Sequence, residues 1–218
     1  MPVPCLTTAL TGPLRELETR ILNAQPQIEH WFRSQWTQYT PPFYGSVDLR
    51  NSGFKLAPVD MNLFPGGFNN LSQDFLPLAV QATQSALEKI CPEARSVLLV
   101  PENHTRNTFY LRNVAALKQI LELAGLKVRL GSLSPEVTAP TVLELGDGET
   151  LTIEPLVRHG HRVSLGDDFN PCVVLLNNDL SAGVPEILRN VDQAVLPPLG
   201  DAFALAVARY DDVLFDRA

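Results

Sequence analysis

The chain has 218 residues, of which 45% are hydrophobic, so it can bury one sizeable core, and a single α/β domain is the default expectation. Its formal net charge is −7 and its basic residues are not clustered, which argues against a nucleic-acid partner because phosphate binding needs concentrated cations. It has neither an apolar stretch long enough to span a bilayer nor the pattern of a secretory signal, so we expect a cytoplasmic protein without a membrane partner.

The cysteines and histidines predict neither disulfides nor a metal site. Cys5, Cys91 and Cys172 are far apart and odd in number, which fits neither a zinc site nor a disulfide scaffold, so we expect reduced thiols. His159 and His161 have no carboxylate or cysteine at ligand spacing.

Two amphipathic helices are predicted before residue 40. Their apolar residues recur at helical spacing, Leu14, Leu17 and Ile21 in the first and Ile28, Phe32, Trp36 and Tyr39 in the second. Thr11 is placed to cap the first helix, and Pro13 fits its first turn. Pro41 and Pro42 should end the second, because proline cannot continue the hydrogen-bond ladder.

Residues 40–71 predict a long irregular loop. They are rich in Gly, Pro and Asn, which disfavour a long helix, and they also carry aromatic residues that favour burial. After this loop, Ser72 is predicted to cap a helix that continues to Ile90, with Pro77 near its first turn.

A strand–helix–strand crossover is predicted next. Residues 96–100 form a short apolar strand, residues 108–124 a helix with an apolar stripe, and residues 127–130 a second strand. Such a crossover implies a parallel pair, and we expect residues 97–100 to be a central strand. Gly125 stands where a left-handed cap ends a helix.

The remaining segments predict a sheet with an antiparallel extension. Short alternating segments between residues 141 and 165 predict hairpins, with Gly146 and Gly148 in a tight turn. Residues 172–176 predict a buried strand, residues 184–188 a short helix and residues 194–196 a last strand. The expected fold class is α/β, with a partly parallel sheet, the crossover and an antiparallel hairpin extension.

The first candidate binding site is the segment FYGSVDLRNSGFKLAPVDMNLFPGGFNN, residues 43–70. A guanidinium suits a carboxylate, acidic side chains accept from an ammonium group, and amides add oriented hydrogen bonds, so these residues can bind a zwitterion. The candidates are Asp48, Arg50, Lys55, Asp60, Asn62, Asn69 and Asn70. Arg50 is the predicted anchor for a substrate carboxylate. The alternative is a structural loop whose polar residues cap one another.

The second candidate site is PENHTRN, residues 101–107, between the first strand and the helix of the crossover. Open α/β sheets bind ligands at the carboxyl ends of their strands, and a helix N-terminus favours anions. Arg106 and Asn107 with nearby N–H groups suit a carboxylate or phosphate, and Glu102 and His104 suit an ammonium contact or a proton relay. The alternative is that Thr105 and Asn107 only cap the helix.

A third candidate site follows the strand at residues 172–176. Asn177, Asn178 and Asp179 face the same edge if that strand is parallel to the others, although Asn and Asp are also ordinary turn residues. No glycine-rich phosphate loop or nucleophile elbow is present, so the chain shows no nucleotide site and its catalytic residues stay unknown.

These motifs resemble one family. The segments FYGSVDLRNSGFKLAPVDMNLFPGGFNNL, LVPENHTRNTFYLRNVAALKQILELAG, VVLLNNDLSAGVPEIL and VLPPLG are similar, in that order, to the proteobacterial glutamate–cysteine ligases, also called gamma-glutamylcysteine synthetases. The resemblance implies ATP-dependent joining of L-glutamate to L-cysteine, the first step of glutathione synthesis, with Mg²⁺ accompanying ATP. It also implies a fold resembling the N-terminal part of an ATP-grasp-like ligase.

The resemblance covers only the N-terminal half of a typical member of the family. Members are roughly twice as long, and residues 201–218 do not align with them. We therefore expect residues 1–200 to be the substrate-binding region and residues 201–218 a divergent tail. A gene truncation, a frameshift or a two-part enzyme whose other half is separately encoded would each give this pattern, and we expect a truncated N-terminal half that needs a separate ATP-binding half. Because no phosphate-cradling loop is present, the lone chain should not bind ATP tightly.

The rival hypothesis is a non-catalytic module that binds an amino acid or a protein partner. In that case residues 201–218 would form a closing amphipathic helix through Phe203, Val207, Tyr210 and Leu214.

Overall fold

The computed structural model describes residues 12–52, 56–103, 106–146, 148–181 and 183–199. The chain divides into two compact units, Met1–Asn62 and Leu63–Ala218. Within the described ranges, no helix combines the length and the apolar character needed to cross a membrane. The proposed closing helix of residues 201–218 lies outside these ranges.

The first unit begins with the two predicted helices, α1 (Gly12–Asn23) and α2 (Gln25–Trp36). Pro26 occupies the first turn of α2, where its missing N–H costs little. Thr11, the predicted cap of α1, lies outside the described residues.

The second helix ends earlier than its apolar stripe suggests. It stops at Trp36, so the prediction that it includes Tyr39 is wrong. The Ser34 and Thr37 hydroxyls donate to backbone carbonyls, and residues 38 and 39 both donate their N–H groups to the Gln35 carbonyl. The two hydroxyl bonds compete with the helical ladder, and the helix ends before it reaches the prolines.

The stretch predicted to be an irregular loop contains a β-hairpin. Strand β1 (Ser46–Asn51) pairs antiparallel with β2 (Leu56–Asn62), so the loop prediction is wrong for these residues. Pro58 obscured the strand pattern because proline normally argues against a strand. Here it lies opposite Leu49, beside a register shift in a two-stranded ribbon where both strands are edges and a missing N–H is tolerated.

The second unit opens with two 3-10 turns, Phe68–Asn70 and Gln73–Phe75, followed by α3 (Leu76–Ile90). Ser72 caps the second 3-10 turn, with its Oγ accepting from the Asp74 N–H, rather than the α-helix itself. The α-helix thus begins three residues later than predicted and has Pro77 in its first turn.

The core of the second unit is a six-stranded sheet. In chain order the elements are β3 (Ser96–Pro101), α4 (Thr108–Leu123), β4 (Lys127–Ser132), β5 (Thr141–Gly146), β6 (Glu149–Pro155), β7 (Val157–His159), β8 (Arg162–Ser164), β9 (Val173–Asn177) and β10 (Ala194–Leu196). Six strands form the sheet in the order β10-β9-β3-β4-β6-β5, and β7 and β8 form a separate antiparallel pair. Every neighbouring pair in the large sheet is parallel except β5 with β6. The predicted α/β fold with a largely parallel sheet and an antiparallel extension is confirmed.

Strand β3 is central, as predicted. It lies between β9 and β4, both parallel to it, and residues 97–101 are all buried. Leu98 and Val100 point to one face, where they pack in a core with Val163, Leu165 and Leu188. Because side chains alternate along a strand, residues 97 and 99 point to the opposite face.

Helix α4 confirms the predicted crossover. Asn107 caps it, with its Oδ1 accepting from the Tyr110 N–H at 3.2 Å. Gly125 has φ +96° and ends it in the left-handed conformation expected of a helix-terminating glycine. The buried face of the helix consists of Leu111, Asn113, Val114, Leu117, Ile120 and Leu121.

A glutamine side chain completes the small β7–β8 sheet. The Gln193 amide accepts from the Val163 N–H and donates to the Val163 carbonyl, both at 2.7 Å, and it also donates to Pro171 O at 2.9 Å. The side chain thereby substitutes for a strand partner in the buried interior. The helix predicted over residues 184–188 is only a 3-10 turn, Glu186–Leu188.

The two cysteines in the described residues are free thiols, as predicted. Cys172 Sγ lies 3.8 Å from Ser96 Oγ, near the start of β3. Cys5 lies outside the described residues.

Candidate functional site

The sheet order creates a switch point between β3 and β9. From β3 the chain crosses through α4 to β4 on one side, whereas from β9 it crosses to β10 on the other. In open parallel sheets, such a reversal leaves a crevice outside the carboxyl ends of the two strands, and ligands bind there. The described residues that follow the two strands, 102–103, 106–107 and 178–181, therefore lie at this edge of the sheet.

Tyr110 joins the carboxyl ends of the two strands. Its hydroxyl accepts from the Glu102 N–H at 2.7 Å and donates to the Asn177 carbonyl at 2.9 Å. Burial is the main cause that raises the pKa of Tyr110, and the nearby Glu102 carboxylate adds to it. The hydroxyl therefore stays protonated and can donate at any physiological pH.

Asn113 attaches a third segment to the same place. Its buried Oδ1 accepts from the Phe68 N–H at 2.9 Å, and its Nδ2 lies 3.5 Å from Asn177 Oδ1. Asn177 Nδ2 in turn donates to the Pro65 carbonyl at 3.0 Å. The PGGFNN segment, residues 65–70, is thus held at the carboxyl edge of the sheet by two buried amides.

The loop after β9 is also fixed by side-chain hydrogen bonds. Asn178 donates to the Pro101 carbonyl at 3.2 Å and accepts from the Leu180 N–H at 2.9 Å. Glu102 Oε1 accepts from the Asp179 N–H at 2.8 Å, which links the loops that follow β3 and β9. Three sequence motifs that are far apart along the chain therefore meet at one crevice.

The predicted site residues of the second unit differ in burial. Asn177 and Asn178 are buried and hydrogen-bonded within the protein, where they hold the loops in place. Asn69, Asn70 and Arg106 are exposed. Asn107 caps α4, as the alternative interpretation predicted. His104 lies outside the described residues.

The other predicted residues belong to the hairpin of the first unit. Asp48 lies directly opposite Asp60 in the register, and Arg50 lies opposite Ala57. Asn62 ends β2, and Lys55 lies outside the described residues.

Sequence reasoning missed Tyr110 and Asn113, which organise the crevice. The available signal was their position on α4, because Asn113 is polar within the apolar face of a helix and lies three residues after Tyr110. A buried polar side chain must be hydrogen-bonded, and such a residue indicates a structural network.

A groove of about 730 Å³ lies beside α4 and was not predicted. It is lined by residues of the 3-10 turns, α4 and the β5–β6 hairpin, including Asn69, Arg112 and Glu149. Arg112 Nε donates to the Leu145 carbonyl at 3.4 Å, which ties α4 to β5. A smaller cavity of about 280 Å³ near β7 and β8 is lined by His159, Arg162 and other polar residues.

A charged cluster on the sheet is structural in character. Arg129 pairs with Glu154 and with Asp168, the latter at 2.9 Å, and its guanidinium lies 5.1 Å from the Phe169 ring centre. The hydrogen bond from Arg129 lowers the pKa of the exposed Asp168 carboxyl. Among the residues that the structure describes, no group of three or more His, Cys, Asp or Glu side chains is arranged to hold a metal ion.

Comparisons with known proteins show the family of this chain. A model of the family described as glutamate-cysteine ligase (GshA) matches residues 18–204. A solved structure of a candidate gamma-glutamylcysteine synthetase from Methylobacillus flagellatus KT is 65% identical, with a TM-score of 0.78. That match covers 91% of this chain and 46% of the relative, so the chain spans less than half of the relative's length. The comparison with curated proteins found no match.

The matched region contains every described segment that meets at the crevice, and it extends over most of the chain. The chain belongs to the glutamate–cysteine ligase family.

Proposed function

We propose that this chain supplies the amino-acid-binding part of a glutamate–cysteine ligase, which joins the side-chain carboxylate of glutamate to the amino group of cysteine with ATP. The observation that carries the proposal is the meeting of PGGFNN, PENHTRN and the Asn177–Asp179 loop at the switch point of the sheet. These segments contribute charged and amide groups to one crevice, in a chain that belongs to the ligase family.

The crevice suits an amino acid because it combines both signs of charge with fixed backbone. Arg106 offers a planar donor fork for a carboxylate, and Glu102 and Asp179 offer carboxylates for an ammonium group. The Tyr110 and Asn177 hydrogen bonds hold these loops before a ligand arrives, which lowers the entropic cost of binding. The role proposed for this chain in the reaction is to orient its substrates.

ATP binding is proposed to lie outside this chain. The segment between β3 and α4 contains no glycine for a phosphate cradle, and the Asn107 side chain already accepts from an N–H group of the first turn of α4. We therefore propose that ATP and Mg²⁺ are held by polypeptide that this chain does not match in the longer relative. A relationship to ATP-grasp ligases and a cytoplasmic location are part of the same proposal, as are a substrate-binding region at residues 1–200 and a divergent tail after it.

The test is calorimetric titration of the 218-residue chain with L-glutamate and with L-cysteine. We expect binding of at least one of them, and we expect Arg106→Gln to abolish it. Arg189→Gln is the matched control, because Arg189 is also exposed but lies beside the 3-10 turn after β9 and pairs with Glu186. Absence of binding by the unmodified chain, or equal binding by the Arg106 and Arg189 variants, would contradict the proposed site.

A further inference from the structure

The first unit exposes apolar side chains to an unusual extent. Among the described residues, eleven of the large exposed apolar side chains lie before residue 63, and six lie after it. The first group includes both tryptophans of the chain, Trp31 and Trp36, with exposed fractions of 56% and 54%. Isolated exposed apolar residues are ordinary, but a concentration of this kind marks an interaction surface.

The elements of the first unit bury little of one another. Neither α1 nor α2 contains a buried residue. In the hairpin, Leu49 and Val59 are 56% and 55% exposed. Isolated helices of about 12 residues and isolated two-stranded hairpins are at best marginally stable in water. These elements therefore need further polypeptide against which to pack.

The most distinct part of this surface is an aromatic cluster on α2, formed by Trp31, Phe32 and Trp36. The Trp31 and Phe32 rings meet edge to face at 5.2 Å between centres, and Phe32 and Trp36 lie 5.7 Å apart. All three side chains are exposed. Tryptophan is the residue type most often found to dominate the binding energy of a protein interface.

Charge does not explain the surface. Residues 12–62 contain five Lys and Arg residues and five Asp and Glu residues, whereas the whole chain has a net charge of −7. A neutral region with exposed aromatic rings favours a partner that buries apolar area rather than a nucleic acid or another highly charged molecule.

We propose that the aromatic cluster of α2 docks onto the part of the longer ligase polypeptide that this chain does not match. The Methylobacillus relative is 65% identical over 91% of this chain, yet more than half of its length lies outside the match. That relative therefore contains both a counterpart of the matched region and additional polypeptide. The inference concerns assembly and is independent of the proposed amino-acid site.

The two tryptophans provide a direct test because both belong to the cluster. The full 218-residue chain is labelled with 5-fluorotryptophan, which gives two fluorine resonances, and the unmatched part of the Methylobacillus relative is expressed without label. Solvent exposure of each indole is measured from the shift of its resonance between H₂O and D₂O. We expect both indoles to be exposed in the lone chain at low and at high concentration, and both to become protected when the unlabelled polypeptide is added.

Three results would overturn the proposal. Protection in the dilute lone chain would mean that the chain covers the cluster itself, and protection that appears only as the lone chain is concentrated would mean that a second copy covers it. Continued exposure after addition of the unlabelled polypeptide would remove that polypeptide as the occupant.

Substitutions separate docking from folding. We expect Trp31→Gln and Trp36→Gln each to weaken association by about 30-fold or more, as for an interface hot spot, and Trp31→Phe to retain most of it. Leu123→Gln is the matched control, since Leu123 is 52% exposed on α4 in the other unit and should leave the affinity unchanged. Equal affinities for the tryptophan variants and the Leu123 control would exclude the cluster as the docking surface, with circular dichroism confirming that every variant is folded.

Discussion

The two units of this chain use apolar residues in opposite ways. The second unit buries them in a parallel sheet whose central strand is inaccessible from residue 97 to residue 101. The first unit leaves its tryptophans and the apolar residues of its hairpin exposed. The comparison indicates that burial of apolar side chains stabilises the second unit far more than the first.

The units also differ in how they treat polar groups. In the second unit, buried amides such as those of Asn113 and Asn177 are hydrogen-bonded, and no buried side-chain nitrogen or oxygen among the described residues lacks a partner. In the first unit the charged residues of the hairpin are exposed. Buried polar groups thus stabilise the second unit, whereas the charged side chains of the hairpin are in contact with solvent.

The sharpest test of the contrast is a pair of leucine truncations. Leu98→Ala in β3 should lower the free energy of unfolding by about 2 to 5 kcal/mol, because it removes fully buried methyl groups and leaves a cavity. Leu49→Ala in β1 should lower it by less than about 0.5 kcal/mol, since the side chain is exposed. Urea denaturation measures both, and similar losses would show that the first unit is packed as tightly as the second.

Removing the buried amide that fixes the crevice should have the next largest effect. Asn113→Leu leaves the Phe68 N–H and one side of the Asn177 amide without their partner, so we expect a loss of about 1 to 3 kcal/mol in unfolding free energy. Asn69→Leu is the control, because Asn69 is exposed and its change should leave stability nearly unaltered. If both variants melt alike, the network does not hold the crevice.

A substitution in the hairpin should act on the ligand and not on stability. Arg50→Lys keeps the charge but loses the planar fork, so amino-acid binding should weaken by about 1 to 3 kcal/mol if one charged hydrogen bond is lost. The melting temperature should stay the same. The effect is measured as a change in the Michaelis constants for glutamate and cysteine, with the chain assembled with the ATP-binding part of the ligase. The Michaelis constant for ATP should barely change. Unaltered constants for glutamate and cysteine would rule out the anchor role, and a lower melting temperature would indicate a structural one.

The smallest expected effect concerns the Tyr110 hydroxyl. Tyr110→Phe removes two hydrogen bonds at the carboxyl edge of the sheet and should cost about 1 kcal/mol at neutral pH. Burial raises the pKa of Tyr110 in the folded state, so its neutral form is favoured by folding. Stability from this group is present below the ordinary tyrosine pKa of about 10 and is lost as the pH rises above it, because the unfolded chain then ionises first.

The measurement is the difference in unfolding free energy between the unmodified chain and the Tyr110→Phe variant above that pH. Unfolding free energies from urea titrations between pH 8 and about pH 11 should fall more steeply for the unmodified chain than for Tyr110→Phe. Parallel curves would show that the hydroxyl is not buried in the folded protein.

Local sequence patterns were enough to predict the elements whose formation depends on near neighbours. The crossover of β3, α4 and β4 follows from apolar periodicity, and Gly125 ends the helix because it adopts a positive φ that other residues avoid. The β1–β2 hairpin was missed because Pro58 contradicts the usual strand pattern and is tolerated only beside a register shift.

The sequence alone therefore determined the family, the fold class and the three polar motifs of the second unit that surround the crevice. Only the tertiary structure decided how these motifs meet, because the sheet order places β9 beside β3 although about 70 residues separate them along the chain. Tyr110 and Asn113 hydrogen-bond across separations of 45 to 67 residues, and no local pattern encodes such partners. Periodicity reports which side of an element is buried, whereas the partner of a buried polar group depends on which strands the whole chain brings together.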